Sequence, residues 1–259
     1  MGTSEIITSK QENYKKLKLK KSGQSLPKFG TGKSVLKIGC LSDTHQNHKN
    51  MMIPEKLDIL IYAGDFTNWS SSKENTVNDF LNWFKNQNAK YKILVCGNHD
   101  LYFTKLSKSK KEALIEDLKN NNIAYLDNNF SFFPDLNINI YGFPQTVKRG
   151  LFYLADAFEV KGTKLNEICN QNFSKKIDIL VTHSPPFEIL DKTYRNQNIG
   201  SLCILEDLVL RVKPKIHIFG HNHDEFGYKI YEYEGEEILF INASRAFGRT
   251  LFYFDYYYD

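Results

Sequence analysis

The sequence predicts an α/β fold with enough antiparallel pairing to give it α+β character, and three observations carry this. Short apolar runs rich in β-branched residues (35–41, 57–63, 92–96, 177–181 and 215–219) read as strands covered on both faces. Stretches with helical spacing lie between several of them. Other runs alternate apolar with polar residues and are separated by turn residues, as antiparallel strands do.

Residues 1–34 carry eight Lys against two Glu with little periodicity, and read as a basic, flexible N-terminal arm ahead of a single domain at 35–259. Lys15, Lys16, Lys18, Lys20 and Lys21 form a candidate anionic-surface patch. Met1-Gly2 opens like a myristoylation site, but Ile6 stands where Ser or Thr is needed.

Strand 35–41 delivers Ser42-Asp43-Thr44-His45, and strand 57–63 delivers Gly64-Asp65. Ser71-Ser72-Lys73-Glu74 offers a capping box before Val77, Phe80, Leu81 and Phe84 at helical spacing, so Trp83 and Phe84 read as core of that helix. Strand 92–96 ends this β-α-β unit at Gly97-Asn98-His99-Asp100, where glycine allows a sharp turn that projects a carboxamide and an imidazole from the strand end. Ser109-Lys110-Lys111-Glu112 repeats the capping signature and predicts a helix running to about residue 120. Runs at 124–126, 130–133 and 138–141, with Pro134-Asp135 as a turn, predict antiparallel strands. Residues 144–176 carry little pattern and read as a substrate-facing loop.

Strand 177–181 leads into Thr182-His183-Ser184-Pro185-Pro186. Leu202, Leu205, Val209 and Val212 predict a helix that Pro214 stops. Strand 215–219 leads into Gly220-His221-Asn222-His223-Asp224, and a hairpin turns at Glu234-Gly235-Glu236. A last strand at 250–254 leaves a Tyr-rich end, a candidate homodimer contact. His48 reads as an exposed loop residue, and His217 as a core histidine.

With 259 residues, 41% hydrophobic and 25% charged, the composition is that of a globular chain with a sizeable core. Residues 35–259 sum to −2, so the domain is not expected to bind nucleic acid. Four cysteines lack pairing or ligand spacing and read as reduced core thiols of a cytoplasmic protein. No apolar run is long enough for a membrane span.

Five of the seven histidines fall in polar clusters at strand ends, beside Asp43, Asp65 and Asn98. Carboxylate, carboxamide and imidazole donors together suit Mn, Fe or Zn, whereas calcium would take oxygens alone. Asp43, His45, Asp65, Asn98, His183, His221 and His223 exceed the four ligands of one structural zinc, and Asp65 could bridge two ions. Two divalent cations can hold a phosphoryl group and an attacking hydroxide for in-line displacement.

Asp43-x-His45, Gly64-Asp65, Gly97-Asn98-His99-Asp100, His183 and Gly220-His221-x-His223 together resemble the signature of the calcineurin-like metallophosphoesterase superfamily. Ala63-Gly64-Asp65-Phe66-Thr67, Thr182-His183-Ser184-Pro185-Pro186, Val212 to His221 and Ile241-Asn242-Ala243-Ser244 narrow the likeness to the metallophosphoesterase-domain-containing proteins, over roughly residues 35–245. The resemblance implies a four-layer α/β/β/α sandwich of two mixed sheets. It implies one ion on Asp43, His45, Asp65 and His223 and a second on Asp65, Asn98, His183 and His221. It further implies that His99 acts on the leaving group, with Asp100 fixing its tautomer. Some members of that subfamily have lost the first histidine of the last motif, but His221 is present here. Gly142-Phe143-Pro144-Gln145 lacks the tryptophan that such proteins often carry after Gly-x-Pro, so Gln145, with Asn68 and Trp69, is a candidate for the substrate wall.

The expected activity is therefore phosphodiester hydrolysis by metal-activated hydroxide, with cyclic nucleotides as the substrate class that the resemblance implies. A protein phosphatase is disfavoured because Phe66-Thr67-Asn68 stands where Asp-Arg-Gly is expected, leaving Arg149, Arg195 or Arg245 to clamp a monoester. A nuclease would want a basic groove, and a scaffold that has lost its chemistry would show ligand substitutions.

Overall fold

The computed structural model describes residues 13–68, 72–148, 157–246 and 248–259. Its strands are β1 Lys18–Gly23, β2 Lys28–Gly30, β3 Ser34–Leu41, β4 Leu57–Ala63, β5 Ala89–Val95, β6 Ile123–Leu126, β7 Asn129–Phe133, β8 Ile138–Phe143, β9 Thr146–Val147, β10 Glu159–Val160, β11 Ile179–Thr182, β12 Ile216–Phe219, β13 Gly227–Tyr233, β14 Glu236–Asn242 and β15 Phe252–Tyr258. They form a seven-stranded sheet in the order β1-β13-β14-β12-β11-β8-β7, a six-stranded sheet in the order β2-β15-β3-β4-β5-β6, and the small β10-β9 pair.

Strand periodicity builds the layers. Side chains alternate across a strand, so one strand can feed two cores. Ile59, Ile61 and Ala63 of β4 meet Ile216 and Ile218 of β12 in a layer between the sheets. Leu60 and Tyr62 of β4 turn outward onto Val77, Phe80 and Phe84 of the Glu74–Lys85 helix. On the opposite outer face, Leu180, Phe219 and Phe240 meet Leu165 of the Gly162–Cys169 helix and Leu205 and Val209 of the Ile204–Leu210 helix. Burying each of these aliphatic side chains contributes roughly 1.5–3 kcal/mol. The result is the expected helix–sheet–sheet–helix sandwich, with mixed sheets in both layers.

Several expectations are corrected. The segment expected to be a flexible arm is folded from residue 14 onward: β1 pairs antiparallel with β13 and β2 pairs parallel with β15. Leu26 and Phe29 anchor it in the inter-sheet layer, Phe29 stacking on Tyr256 at 6.1 Å. Residues 1–12, with the Met1-Gly2 motif, lie outside the described residues. β6 is parallel to β5, because the Lys108–Asn120 helix carries the chain back across the sheet between them. That helix is capped by Ser107, which accepts from the Lys110 amide, and not by Ser109. Ser71 of the first capping box is outside the described residues; Ser72 instead accepts from the Tyr102 amide at 2.8 Å. The Ile204–Leu210 helix is of the wide π type. The Tyr-rich end is β15 itself, held between β2 and β3, with Tyr253 exposed on its outer side.

His48 is buried rather than exposed, with its ring against Phe80 and Trp83 and its Nε2 3.3 Å from Asp79. His217 is a core histidine as expected. The Thr182 hydroxyl donates to the Ser184 carbonyl at 2.6 Å, so it must accept from His217 Nε2–H at 2.9 Å, which sets the tautomer of the ring. Burial lowers its pKa to about 3. Unfolding therefore takes up a proton at any pH between that value and the ordinary one near 6.5. The His217 contribution is complete above pH 6.5 and falls by about 1.4 kcal/mol per pH unit as pH drops toward 3. Denaturant titrations at pH 6 and 4.5 should show that loss becoming shallower in His217→Phe; an unchanged slope would refute it.

Candidate metal centre

β3, β4, β5, β11 and β12 all end at one rim of the sandwich, where the two sheets are stitched by contacts between their motifs. His183 Nδ1–H of the seven-stranded side donates to the Ala63 carbonyl of β4 at 2.8 Å. The His221 amide donates to Asp43 Oδ2 at 2.9 Å.

Backbone conformation aims these side chains. Asp43, His45, Asp65 and His221 have φ of 54°, 43°, 60° and 67°, in the left-handed region that side-chain-bearing residues rarely adopt. The motif glycines are required by close approach. A Cβ at Gly97 would lie 2.3 Å from Asp65 Oδ1 and 2.5 Å from His183 Cε1. At Gly220 it would lie 2.1 Å from Ser42 Oγ and 2.3 Å from Asp43 Oδ2.

Two donor groups result: Asp43, His45 and His223, and Asp65, His183 and His221, the donor atoms of each lying within 4.8 Å of one another. In the first, His45 Nε2 is 3.2 Å from His223 Nε2, which is 3.3 Å from Asp43 Oδ1. In the second, His183 Nε2 is 3.3 Å from Asp65 Oδ2 and 2.9 Å from Asn98 Oδ1, which is 3.0 Å from His221 Nδ1. All seven expected donors are thus brought together. Asp65 stands in the second group, and its charge also acts on His45 and His223 of the first.

The donor set fits divalent cations. His45 Nδ1–H donates to the Thr67 carbonyl at 3.0 Å and His183 Nδ1–H to that of Ala63, so each ring turns Nε2 toward the other donors of its group. Ser42 and the His221 amide occupy Asp43 Oδ2, whereas the buried Oδ1 faces the His223 ring, with Nε2 at 3.3 Å. Such a converging set of acceptors is what a cation satisfies. Burial works to raise both carboxyls, but the neighbouring imidazoles outweigh it: Asp43 is held at about 2 and Asp65 lower still. Burial likewise opposes charge on His183, yet the Asp65 carboxylate pulls it up to about 9. The pocket is thus built for positive charge.

His99 sits at the rim, a quarter exposed, with Nε2 3.7 Å from Asp65 Oδ2 and its ring edge-on to His45. Burial lowers its pKa. The hydrogen bonds of Asp100 run to backbone amides and the Thr67 hydroxyl rather than to the His99 ring. The Asp100 carboxylate points inward, accepting from the amides of Asp65 at 2.9 Å, Thr67 at 3.1 Å and Gly97 at 2.8 Å, and from the Thr67 hydroxyl at 3.0 Å. It ties the Gly64-Asp65 turn to the Gly97 turn. Asn68 is half-buried just after Thr67, Gln145 is buried beyond the end of β8, and Trp69 lies outside the described residues. Ser42 and Thr67 serve the site without having been singled out; both sit inside the motif blocks, and their hydroxyls beside ligating carboxylates were the available signal.

Comparison with known proteins agrees with this geometry. The calcineurin-like phosphoesterase family profile matches residues 36–225. Human metallophosphoesterase domain-containing protein 1 is 32% identical over 207 residues, 73% of this chain and 60% of that protein. A UPF0046 protein of Caenorhabditis elegans is 33% identical over 218 residues, 79% of this chain and 73% of its own length. A solved crystal structure superposes with a TM-score of 0.55 at 14% identity, over 82% of this chain and 91% of its own, which speaks to the fold alone. No described helix is long and apolar enough to cross a membrane. The chain belongs to the calcineurin-like phosphoesterase family.

Proposed function

We propose that this chain is a metal-dependent phosphodiesterase, with cyclic nucleotides as its substrate class. The observation that carries the reading is the pair of donor groups at one rim, each holding an ionised carboxylate. Asp43, His45 and His223 would hold one ion and Asp65, Asn98, His183 and His221 the other, with Asp65 shared. Two bound divalent cations supply charge stabilisation to the phosphoryl oxygens and make water a nucleophile at neutral pH.

The protein's own contribution is orientation and proton handling. The Thr67 and Ala63 carbonyls set the imidazole tautomers, and Ser42 and the His221 amide turn Asp43 Oδ1 into the site. His99, neutral and at the rim, donates a hydrogen bond from Nε2–H to the departing ester oxygen as charge develops there, and keeps its proton. Asp100 is a positioning residue that fixes the two turns carrying Asp65 and Asn98.

Preference for a diester rests on the arginines. The Arg245 guanidinium is committed to the Thr250 carbonyl and hydroxyl and stacks on Phe226 at 3.8 Å. Arg195 is exposed over Tyr194, and Arg149 lies outside the described residues. A dianionic monoester would gain most from a bidentate clamp that Arg245 does not offer. With Mn²⁺, Fe²⁺ or Zn²⁺ added, bis(p-nitrophenyl) phosphate should be hydrolysed with a higher kcat/KM than p-nitrophenyl phosphate. Equal or reversed preference would make this a phosphatase, and inertness toward both with every metal would make it a scaffold.

A further inference from the structure

Cys169 and Cys203 are 34 residues apart, yet the fold places their Sγ atoms 3.2 Å from each other. Cys169 ends the Gly162–Cys169 helix and Cys203 lies in the first turn of the helical stretch that continues as Ile204–Leu210, so the end of one helix meets the start of another. We infer that Cys169 and Cys203 are a dithiol oxidation site, at which a peroxide-class oxidant forms an intramolecular disulfide. This goes beyond the phosphoesterase reading and does not depend on it.

Three observations support it. The two sulfurs need only about 1 Å of further approach to reach bonding distance. The Cys169 thiol donates to Cys203 Sγ, and Ser201 Oγ lies 3.1 Å from the same sulfur. Both contacts favour the Cys203 thiolate over burial and lower its pKa, while the same hydrogen bond, with burial, raises that of Cys169. The pair is therefore asymmetric, one sulfur suited to attack and the other to resolve. Cys169 is as fully buried as Cys40, and Cys203 is 7% exposed; Cys40 differs in its partner, donating to the Phe252 carbonyl at 3.5 Å between the sheets, where burial pushes its thiol up. Burial also raises Cys96, beneath the outer helices of the six-stranded sheet.

The chemistry balances. Cys203 thiolate attacks one peroxide oxygen, the O–O bond breaks, and a sulfenic acid forms while hydroxide takes up a proton and leaves as water. Cys169 then gives up its proton and attacks the Cys203 sulfur; the S–O bond breaks and the released hydroxide takes that proton as a second water. Two thiols are oxidised and one peroxide is reduced. The bond would tie the Gly162–Cys169 helix to the loop after His183, because the Ser201 amide donates to the Pro185 carbonyl at 3.0 Å.

The test treats the full chain with a small excess of hydrogen peroxide, quenches by alkylation under denaturing conditions, and maps peptides by mass spectrometry. The expected product is a Cys169–Cys203 linked peptide, two hydrogens lighter than its parts and lost on reduction. It should form roughly tenfold faster than any oxidation of Cys40 or Cys96. Cys169→Ser should let Cys203 accumulate as a dimedone adduct, whereas Cys203→Ser should leave Cys169 a thiol. Recovery of both thiols alkylated while Cys40 or Cys96 oxidises would overturn the proposal, and this arm needs only the unaltered chain.

Discussion

Asp65→Asn is expected to lower metal-supported diester hydrolysis on the order of 10³-fold or more while leaving the fold intact. Asparagine keeps an oxygen for the His99 amide, which donates to Asp65 Oδ1 at 2.8 Å. What it loses is the negative charge opposite His183, and with it the attraction for cations worth several kcal/mol. On the proposed sharing of Asp65 between two ions, metal content should fall along with kcat. Elemental analysis and kcat/KM on bis(p-nitrophenyl) phosphate, taken together with thermal unfolding, read all three. Near-normal turnover in Asp65→Asn would remove Asp65 from the centre of the chemistry.

The second large effect concerns Asp100, whose loss should be felt first in stability. Asp100→Ala strands three buried amides, while the Thr67 hydroxyl keeps the His99 carbonyl as its acceptor at 2.7 Å. Each unsatisfied donor costs about 1–3 kcal/mol, not additively, so a loss of roughly 3–5 kcal/mol and a Tm lower by about 10 °C are expected. His99→Ala, at a quarter-exposed rim position, should leave Tm within about 2 °C and reduce turnover instead. If Asp100→Ala keeps the parental Tm and alters only the pH profile, the residue acts through His99 after all.

That reassignment shows where sequence reading stops. The pairing of Asp100 with His99 is implied by the family resemblance; but neighbouring residues in a turn diverge, and this carboxylate is turned back onto the backbone. The donors were legible because each follows an apolar run long enough to declare a strand, and because imidazole and carboxylate rarely coincide at five strand ends by chance. β1 was illegible for the opposite reason. All six of its residues are exposed at a sheet edge, so no apolar period marks it. Leu26 and Phe29, the two anchors of that segment, are isolated among lysines and glycines. β6, at four residues, is too short for its pattern to state a direction, which is set by the helix before it. His48 sits in a polar stretch, and only the packing of Trp83 and Phe80 over it makes it interior. The meeting of Cys169 with Cys203 depends on two helices packing on one face of a sheet, information no local spacing holds.

Neither donor group belongs to a single sheet. Asp43 and His45 come from the six-stranded side and His223 from the seven-stranded side; Asp65 and Asn98 face His183 and His221 in the same way. The rim is therefore a clasp closed by opposite halves of the molecule, and neither half contains a working centre. Sliding of one sheet over the other would part the donors of both groups, so the apolar layer packed between the sheets acts as the bearing that keeps the clasp in line. Selection on the chemistry is, at a distance, selection on the fit of Ile59, Ile61, Ile216 and Ile218.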